Sequence, residues 1–481
     1  MYLMPPSPTE WLPEGHLAYF ILELVERLDL APIEAAIARK DPRGERPYAP
    51  RLLLALLIYG YCVGVFSSRK LARATYEEVA FLVLAGGAHP HFTRINQFRL
   101  EHREAFASLF VQVLRLCRRA GLVKLGHVSL DGTKILANAS KHKAMSYERM
   151  QEEAARLRAE INELLANADQ VDGAEDERYG VGVAPEDLPE ELQRREGRLA
   201  RIDEAMAELE REAALARAEE LRANAHGQRE RAADPSVDDP ERRRCATRAA
   251  ISDARAAELD PRDDDQNPPP APGGDLPHHR VPHDASGTPD PKAQRNFTDP
   301  DSRIMVTGGA YVQAYNAQIV VDDQAQIIVA QAVTNQPPDQ QHLSPLVDLV
   351  EQGLGRRPRR LSADAGYYSD DNVGACEARS IAAFIAVGRM PHASRADGPP
   401  VELSPRRAAM QKKLQAPEGH AVYSRRKVIA EPPFGHIKAA QGFRRFSLRG
   451  LAKVRCEWAL VSMTHNLLKL FRRAPAMVMV G

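Results

Sequence analysis

The sequence predicts an α/β protein in which one sheet is interrupted by an acidic helical insertion and preceded by a helical domain. Three observations support this prediction. Apolar residues recur at helical spacing in residues 47–120, short β-branched and apolar runs alternate with helical segments after residue 303, and residues 146–302 differ in composition from the rest. At 481 residues, the chain is also longer than one hydrophobic core usually supports, so we expect several domains.

Charge is divided unequally along a chain whose formal net charge is zero. Residues 146–302 contain 22 basic and 38 acidic residues, so the remainder carries an excess of basic side chains. A basic folded part indicates a polyanionic partner such as nucleic acid, although cations scattered over a solvated surface give the same composition.

The cysteines and the apolar runs indicate the compartment. The 5 cysteines lie far apart without a C-x-x-C pair, which fits neither a disulfide framework nor a structural zinc site and favours a reducing environment. The first residues lack a secretory signal, and no apolar run is long enough to span a bilayer. We therefore expect a cytoplasmic protein, associated with the nucleoid if it binds DNA, with no membrane partner.

Residues 1–125 are predicted to form a helical DNA-binding domain. PYAPRLLLALLIYGYCVG and REAFASLFVQVLRLCRRAG have apolar positions at helical spacing and end in glycine. Between them, FSSRKLARATYEEVAFLVLAGG and HFTRINQFRLEH predict two shorter helices, capped by Ser67 or Ser68 and by Thr93. Such a pair fits a helix-turn-helix, and an ordinary helical bundle with solvated charges fits equally well. The side chains that would project from its early turns are Arg69, Lys70, Arg73, Arg94, Gln97 and Arg99.

Residues 146–232 predict an antiparallel helical hairpin, because their apolar residues keep a helical stripe. The stripe consists of Leu157, Ile161, Leu164, Leu192, Leu199, Ile202, Met206 and Leu209. Residues 233–302 are predicted to be a disordered linker, since residues 261–302 contain 10 prolines and cannot offset their chain entropy by burial. The linker histidines, His278, His279 and His283, are more simply solvated side chains than metal ligands.

Residues 126–145 and 303–475 predict the two parts of one α/β domain. GHVSLDGTKILANAS predicts a strand, a turn and a second strand. After the insertion, AYVQAYNAQIVVDD and QIIVAQAVTN predict strands and HLSPLVDLVEQGLG a helix. RRLSADAGYYS then predicts a strand ending in a turn, SDDNVGACEARSI a helix and AAFIAVG a strand.

Two aspartates are placed at the predicted ends of apolar strands, Asp131 in VSLDGT and Asp364 in LSADAGY. In open α/β sheets ligands bind beyond the carboxyl ends of the strands, and neighbouring strands lie about 4.8 Å apart. Both carboxylates would then reach one pair of metal ions. Taken singly, an aspartate at a strand end is more often a turn former or a helix cap.

A third carboxylate, Glu431, lies between Lys427 and Lys438 in YSRRKVIAEPPFGHIKAAQGFRRFSLRG. On a helix these three side chains share one face, which suits a site that holds a metal and admits a phosphate. A surface salt bridge is the simpler alternative. Pro432 disfavours helical geometry at Glu431 and predicts either a kink or a helix that starts there.

These blocks together resemble the bacterial insertion-sequence transposases of the DDE type. The resemblance rests on DGTKILANASKHK, AYVQAYNAQIVVDD, SADAGYYS, and RKVIAEPPFGHIK followed by GFRRFSLRG, in that order. It implies a ribonuclease-H-like mixed sheet flanked by helices, with Asp131, Asp364 and Glu431 in the positions of the three acidic residues. Many relatives carry a Tyr, Arg, Glu, Lys signature around the Glu. Glu431 and Lys438 fit this signature, whereas Lys427 stands at the Arg position and Tyr423 lies one residue early.

The resemblance implies metal-dependent cleavage and strand transfer of DNA at the ends of an insertion sequence. The implied cofactor is Mg²⁺, for which Mn²⁺ can substitute, with Asp131 bridging two ions while Asp364 and Glu431 hold one each. The implied partners are the terminal inverted repeats and the target, both double-stranded DNA, and a second copy of the chain in a homodimer. Two alternatives are a metal-dependent nuclease that cuts without joining and a non-catalytic DNA-binding protein derived from a transposase.

The carboxyl-terminal residues 401–481 contain 16 basic and 4 acidic residues, so we expect this stretch to lie along the duplex. Within it, WALVSMTHNLLKLF is more simply a core helix in which Trp458 and His465 pack. The phosphate contacts expected from this stretch are Arg426, Lys427, Lys438, Arg444, Arg445 and Arg449, and those expected from the amino-terminal domain are Arg69, Lys70 and Arg94.

Overall fold

The computed structural model describes residues 8–39, 47–179, 190–261, 276–388 and 403–473. The chain divides into two compact units. The first comprises Met1–Asn138, Pro272–His278 and Ile304–Gly481, and the second comprises Ala139–Ala271 and His279–Arg303. The second unit corresponds to the predicted insertion. The helical region predicted as a domain of its own over 1–125 lies in the same compact unit as the sheet.

The helices and strands have the following bounds in chain order. The helices are α1 (Leu17–Arg27), α2 (Ala31–Ala38), α3 (Pro50–Cys62), α4 (Ser68–Glu77), α5 (Val79–Leu84), α6 (Phe92–Glu101), α7 (Ala105–Arg119), α8 (Tyr147–Tyr179), α9 (Glu190–Ala233), α10 (Asp239–Leu259), α11 (Leu343–Leu354), α12 (Asp370–Ala378), α13 (Pro405–Gln415), α14 (Pro417–Gly435) and α15 (Leu451–Arg473). The strands are β1 (His127–Leu136), β2 (Ala144–Ser146), β3 (Gln294–Asn296), β4 (Arg303–Thr307), β5 (Ala310–Asp322), β6 (Ile328–Thr334), β7 (Arg360–Ala363) and β8 (Ala382–Ile385).

One mixed sheet forms the centre of the first unit, with the strand order β4-β5-β1-β7-β8 and β6 also paired with β5. β1 runs antiparallel to β5 and parallel to β7, β7 runs parallel to β8, and β6 runs antiparallel to β5. The four strands predicted after the insertion are present as β5, β6, β7 and β8, whereas β4 was not predicted. The predicted α/β class with a mixed sheet flanked by helices is therefore confirmed.

The strand β1 differs from its prediction. GHVSLDGTKILANAS was expected to turn after Asp131, but β1 continues through Asp131 and Gly132 to Leu136 and pairs with β5 throughout. Gly132 lies opposite Gln318, and a Cβ atom at Gly132 would lie 2.3 Å from the Gln318 side-chain nitrogen. The absence of a side chain at Gly132 therefore allows the Gln318 side chain to pack closely against β1, which is one of the uses of glycine in strands.

Helix α15 is the buried core helix of the first unit. Its apolar residues pack against the sheet and against α3 and α7 of the amino-terminal region. Trp458 and His465 are fully buried on it, so their predicted packing role is confirmed. The Trp458 indole nitrogen donates to the Gln318 carbonyl oxygen at 3.2 Å, which satisfies the polar end of a large core side chain.

The two shorter amino-terminal helices do not present all of the expected cations. Arg99 on α6 is buried and donates to the Tyr61 hydroxyl at 2.7 Å, so its expected projection towards DNA is wrong. The N-cap of α6 is His91, not Thr93, because the His91 side chain accepts from the Thr93 backbone N–H. Ser67 occupies the N-cap position of α4 without a capping hydrogen bond from its side chain.

Helix α14 continues through Pro432 and Pro433 and ends at Gly435, so the helix does not start at Glu431, which was one of the two alternatives expected there. Proline has no N–H, and Pro432 therefore leaves the Val428 carbonyl without its helical donor. The Gln326 side chain donates to that carbonyl at 2.9 Å. A replacement donor from outside the helix thus offsets part of the cost of the proline.

The second unit contains α8, α9 and α10 and the two-stranded sheet of β2 and β3. As predicted for residues 146–232, α8 and α9 pack antiparallel through a buried stripe that includes Leu157, Ile202 and Leu209. Ion pairs also connect the two helices; for example, Arg198 on α9 pairs with Glu153 on α8 at 2.7 Å.

The predicted linker, residues 233–302, requires correction. Residues 239–259 form α10, and β3 lies within residues 276–302. Arg295 on β3 is buried and forms an ion pair with Glu212 at 2.7 Å and another with Glu208. Residues 262–275, which hold the densest proline and aspartate runs, lie outside the described residues.

All five cysteines are free and buried. Among the described residues, no helix combines the length and the apolarity that crossing a bilayer requires.

Candidate active site

The parallel pairing of β1 with β7 places Asp131 and Asp364 side by side. The paired residues include Ser129 with Ser362, and continuing this register by two residues brings Asp131 opposite Asp364. Asp364 is the first residue after β7, whereas Asp131 lies within β1. Adjacent parallel strands are about 4.8 Å apart, so the two carboxylates occupy one edge of the sheet.

The environment of Asp131 disfavours the charged form of its carboxylate. The pKa of Asp131 is raised to about 6, chiefly by burial and also by the negative charges of Asp364 and Asp339. Arg426, whose guanidinium lies 3.7 Å away, and the backbone N–H of Gly132, at 2.9 Å, lower it. A proton or a cation at this position would relieve the repulsion between the two aspartates.

Asp364 begins a short 3-10 turn, Ala365–Tyr367, and its carboxylate accepts from the Gly366 backbone N–H at 2.9 Å. Tyr367 is buried, and its hydroxyl donates to the Gln318 side-chain oxygen. Burial raises the pKa of Tyr367, and the charges of Asp339, Asp131 and Asp364 raise it further. Three carboxylates therefore lie within electrostatic range of one buried phenol.

Asp339 was not predicted to belong to this group. It lies between β6 and α11, and its carboxylate accepts from Asn316 at 2.6 Å and from Gln318 at 2.7 Å. Lys134 on β1 forms an ion pair with it at 3.6 Å. In the sequence, Asp339 follows two prolines and precedes a helix, a position in which aspartate is commonly a turn former or a cap.

Helix α14 and the residues after it supply cations close to Asp131. Arg426 faces Asp131, and Lys438 donates to the Thr133 hydroxyl. Burial lowers the pKa of Lys438, Asp131 raises it and Arg444 lowers it. Lys438 lies in the π-helical turn His436–Ala440 that follows α14, and turns of this kind are frequent at functional sites.

Glu431 is exposed on α14. The common face expected for Lys427, Glu431 and Lys438 is not formed, since Lys427 is also exposed whereas Lys438 is half-buried beside Thr133. Throughout the part of the chain that the structure describes, no three His, Cys, Asp or Glu side chains are grouped closely enough to hold a metal ion. The structure thus brings Asp131 and Asp364 together and leaves Glu431 on the helix surface.

The cations expected to contact DNA fall into two groups. Arg426 and Lys438 lie beside Asp131, as described above. The others are exposed: Arg69, Lys70, Arg94, Lys427, Arg444, Arg445 and Arg449. The segment that carries the last three runs beside the end of β1, because Leu136 accepts a backbone hydrogen bond from Phe446 at 2.9 Å and donates one to Arg444 at 3.2 Å. A basic strip therefore adjoins the strand that carries Asp131.

Two family models match the chain. The model described as Transposase DDE domain matches residues 280–467, and the model described as Transposase domain (DUF772) matches residues 6–101. Asp364 and Glu431 lie within the first match, whereas Asp131 lies outside both, so its place beside Asp364 depends on the pairing of β1 with β7. No curated protein and no solved structure matches the chain.

Proposed function

We propose that this chain is a DDE transposase of the insertion-sequence type, which cleaves DNA at the ends of its element and joins them to a target; the matches to two transposase family models support the proposal. In this proposal Asp131, Asp364 and Glu431 are the acidic residues that support divalent-metal-dependent phosphoryl transfer. The observation that carries the proposal is the placement of Asp131 beside Asp364 on adjacent parallel strands.

The donor set fits a hard divalent cation such as Mg²⁺, which prefers carboxylate oxygens. Asp131 and Asp364 would be two such ligands; the pKa of Asp131 is raised first by burial and then by the charges of Asp364 and Asp339, and a bound cation would balance that negative charge. Glu431 is assigned as the third ligand because it lies on α14, the helix that packs on β1, β5, β7 and β8. When bound, divalent ions at such a site activate the attacking hydroxyl or water and stabilise the leaving oxygen.

The protein's own cations have a separate task in this proposal. Lys438 is fixed against Thr133, two residues after Asp131, where an ammonium group would neutralise a nonbridging phosphate oxygen. Arg426 occupies the neighbourhood of Asp131 and would be available to the same phosphate. The exposed arginines of the basic strip, Arg444, Arg445 and Arg449, would hold the flanking backbone of the duplex.

The proposal is tested with DNA that carries the inverted repeats flanking the protein's own coding region. Wild-type protein should cleave these ends and form joined product in Mg²⁺, and should bind them without cleavage in Ca²⁺. Asp131→Asn and Asp364→Asn should bind the ends and lose both activities. Retained cleavage by these variants would refute the site.

The assignment of Glu431 needs its own control, because the side chain is exposed. Glu418 is another exposed glutamate on α14, so Glu418→Gln is a matched variant. Glu431→Gln should lose cleavage, whereas Glu418→Gln should retain it, and equal activity would remove Glu431 from the site. Cleavage without joined product would favour a nuclease, and end binding without cleavage in any metal would favour a non-catalytic DNA-binding protein.

A further inference from the structure

Asp339 occupies a helix-capping position without capping. It is the N-cap of the 3-10 turn Gln340–His342 that leads into α11, and its side chain makes no capping hydrogen bond. Aspartate at an N-cap normally accepts from the first backbone N–H groups. The side chain is therefore engaged elsewhere: its hydrogen-bond donors belong to the sheet, and His342 Nδ1 of the same turn lies 3.9 Å from Oδ1.

One oxygen of Asp339 gathers three donors from two strands. Oδ1 accepts from the Asn316 amide at 2.6 Å and from the Gln318 amide at 2.7 Å, and it lies 3.6 Å from the Lys134 ammonium. Asn316 and Gln318 are fully buried. Lys134 is held further by the Pro337 carbonyl oxygen at 2.7 Å. A charge-assisted network of this kind fixes the amide of Gln318 in one orientation.

The Gln318 side chain contacts residues next to both aspartates of the candidate site. Its side-chain oxygen accepts from the hydroxyl of Tyr367, the last residue of the turn that Asp364 begins. Its side-chain nitrogen lies against Gly132, the residue after Asp131, where a Cβ atom would be only 2.3 Å away. One side chain therefore contacts the immediate neighbourhood of each aspartate.

The second oxygen of Asp339 points towards the Asp364 turn. A Cβ atom at Gly366 would lie 3.4 Å from Asp339 Oδ2 and 3.1 Å from Asp364 Oδ1, so both carboxylates border the same glycine. The charge of Asp339 thus acts beside the turn, in addition to the bonds made through Gln318.

We infer that Asp339 is a positioning residue of the catalytic centre, which sets the relative placement of Asp131 and Asp364 through Gln318 and Tyr367. This inference rests on the proposed function. Residues that orient metal ligands typically change metal affinity or activity by about 10–100-fold when they are altered. The effect expected from Asp339 is of that size and needs no contact between Asp339 and the DNA.

Asp339→Asn is the central variant, because it keeps the shape of the side chain and removes its charge. Titration calorimetry with Mn²⁺ on the full chain without DNA should give an affinity about 10–100-fold weaker than that of the wild type. Single-turnover cleavage at a fixed Mg²⁺ concentration should fall by a similar factor. Binding of element ends in Ca²⁺ should stay close to wild type, and the thermal unfolding midpoint in metal-free buffer shows whether the variant is folded at the temperature of the assay.

Asp348→Asn is the matched control. Asp348 lies on α11 and forms an ion pair with Arg379 at 2.9 Å, so this variant should change neither the metal affinity nor cleavage. Tyr367→Phe is the second variant in case Asp339→Asn unfolds, because it removes only the hydroxyl bonded to Gln318. It should weaken Mn²⁺ binding in the same direction. Wild-type Mn²⁺ affinity and cleavage in either folded variant would overturn the inference.

Asp131→Asn separates this inference from the proposed function. If Asp131→Asn binds Mn²⁺ and cleaves as the wild type does, the proposed site itself is wrong. If Asp131→Asn is inactive while Asp339→Asn matches the wild type, the site stands and the role of Asp339 is rejected.

Discussion

The guanidinium of Arg426, on α14, lies 3.7 Å from the carboxylate of Asp131. A positive charge is therefore placed next to the aspartate that is proposed to bind a metal ion. Both side chains are largely buried, which strengthens the interaction relative to a surface pair.

Arg426→Gln should therefore increase the affinity for Mn²⁺ several-fold, because a positive charge next to the ligand repels a divalent cation. The measurement is calorimetric titration without DNA, at a pH well above the pKa of Asp131. Arg425→Gln is the control, since Arg425 pairs with Asp323 instead, at 3.2 Å. An unchanged or weaker affinity in Arg426→Gln would mean that the arginine and the metal do not compete.

A methyl group at Gly132 should destabilise the fold. The Cβ atom of Gly132→Ala would lie 2.3 Å from the Gln318 amide, which is buried and held by Asp339 and so cannot move freely. The expected loss in the free energy of unfolding is about 1–3 kcal/mol, measured by urea denaturation. Gly126→Ala, one residue before β1 with open space around its Cβ position, should cost much less. Equal losses would contradict the packing argument.

The basic strip should contribute to the salt dependence of DNA binding. Arg445 is exposed beside the end of β1, and a phosphate contact from it would add about 0.9 to the slope of log affinity against log salt. Arg445→Ala should reduce the slope by that amount, as measured by fluorescence anisotropy on element ends. Arg356→Ala removes an exposed arginine between α11 and β7 and should leave the slope unchanged. Identical slopes for all three proteins would exclude Arg445 from the interface.

Acid should destabilise the first unit through His465. Its pKa is lowered to about 3, chiefly by burial; the hydrogen bond to the Gln326 carbonyl raises it, and His436, Lys469 and Arg472 lower it. An unfolded histidine titrates near about 6.5, so below that pH the unfolded state binds a proton that the folded state does not. Stability should therefore fall as the pH falls, with His465 contributing about 2 kcal/mol of the loss near pH ~5.

The difference between wild type and His465→Gln isolates this contribution. Urea denaturation at about pH 7 and about pH 5 should give a smaller loss of stability in the variant. His420→Gln, which changes an exposed histidine of α14, should follow the wild type. The same pH dependence in all three proteins would show that His465 does not control the acid response.

The sheet and both aspartates could be predicted because their signals are local. Strands such as β5 and β6 are rich in β-branched and apolar residues, and Asp364 directly follows β7 as expected. Asp131 was predicted to end its strand because glycine follows it. The continuation of β1 depends instead on Gln318, a partner far along the chain that packs where Gly132 has no side chain.

Residues whose role depends on a distant partner were the ones that sequence patterns placed wrongly or missed. Asp339 has the sequence context of a helix cap, and only the folded sheet brings Asn316 and Gln318 to it. Helix α14 passes through Pro432, and Gln326, from another part of the chain, donates to the Val428 carbonyl that the proline leaves without its helical donor. Neither relationship leaves a periodic signal.

Arg99, expected at the DNA surface, instead belongs to a buried network around Glu457 on α15. The Tyr61 hydroxyl donates to Glu457 at 3.0 Å and accepts from Arg99 at 2.7 Å. The second oxygen of Glu457 accepts from the backbone N–H groups of Ser447 and Leu448 at 2.9 and 3.1 Å. The carboxylate lies 4.0 Å from the Arg99 guanidinium and compensates the charge of this buried arginine.

Glu457→Gln should therefore destabilise the protein strongly, because it leaves the Arg99 guanidinium buried without an opposite charge. Breaking a buried pair by removing one partner typically costs about 3–5 kcal/mol. Glu351→Gln is the control, since Glu351 pairs with Arg357 at 2.8 Å on the exposed surface, where a pair contributes about 0–1 kcal/mol. Urea denaturation of both variants measures the difference. If Glu457→Gln loses no more stability than Glu351→Gln, the buried pair does not stabilise the packing of α6 against α15.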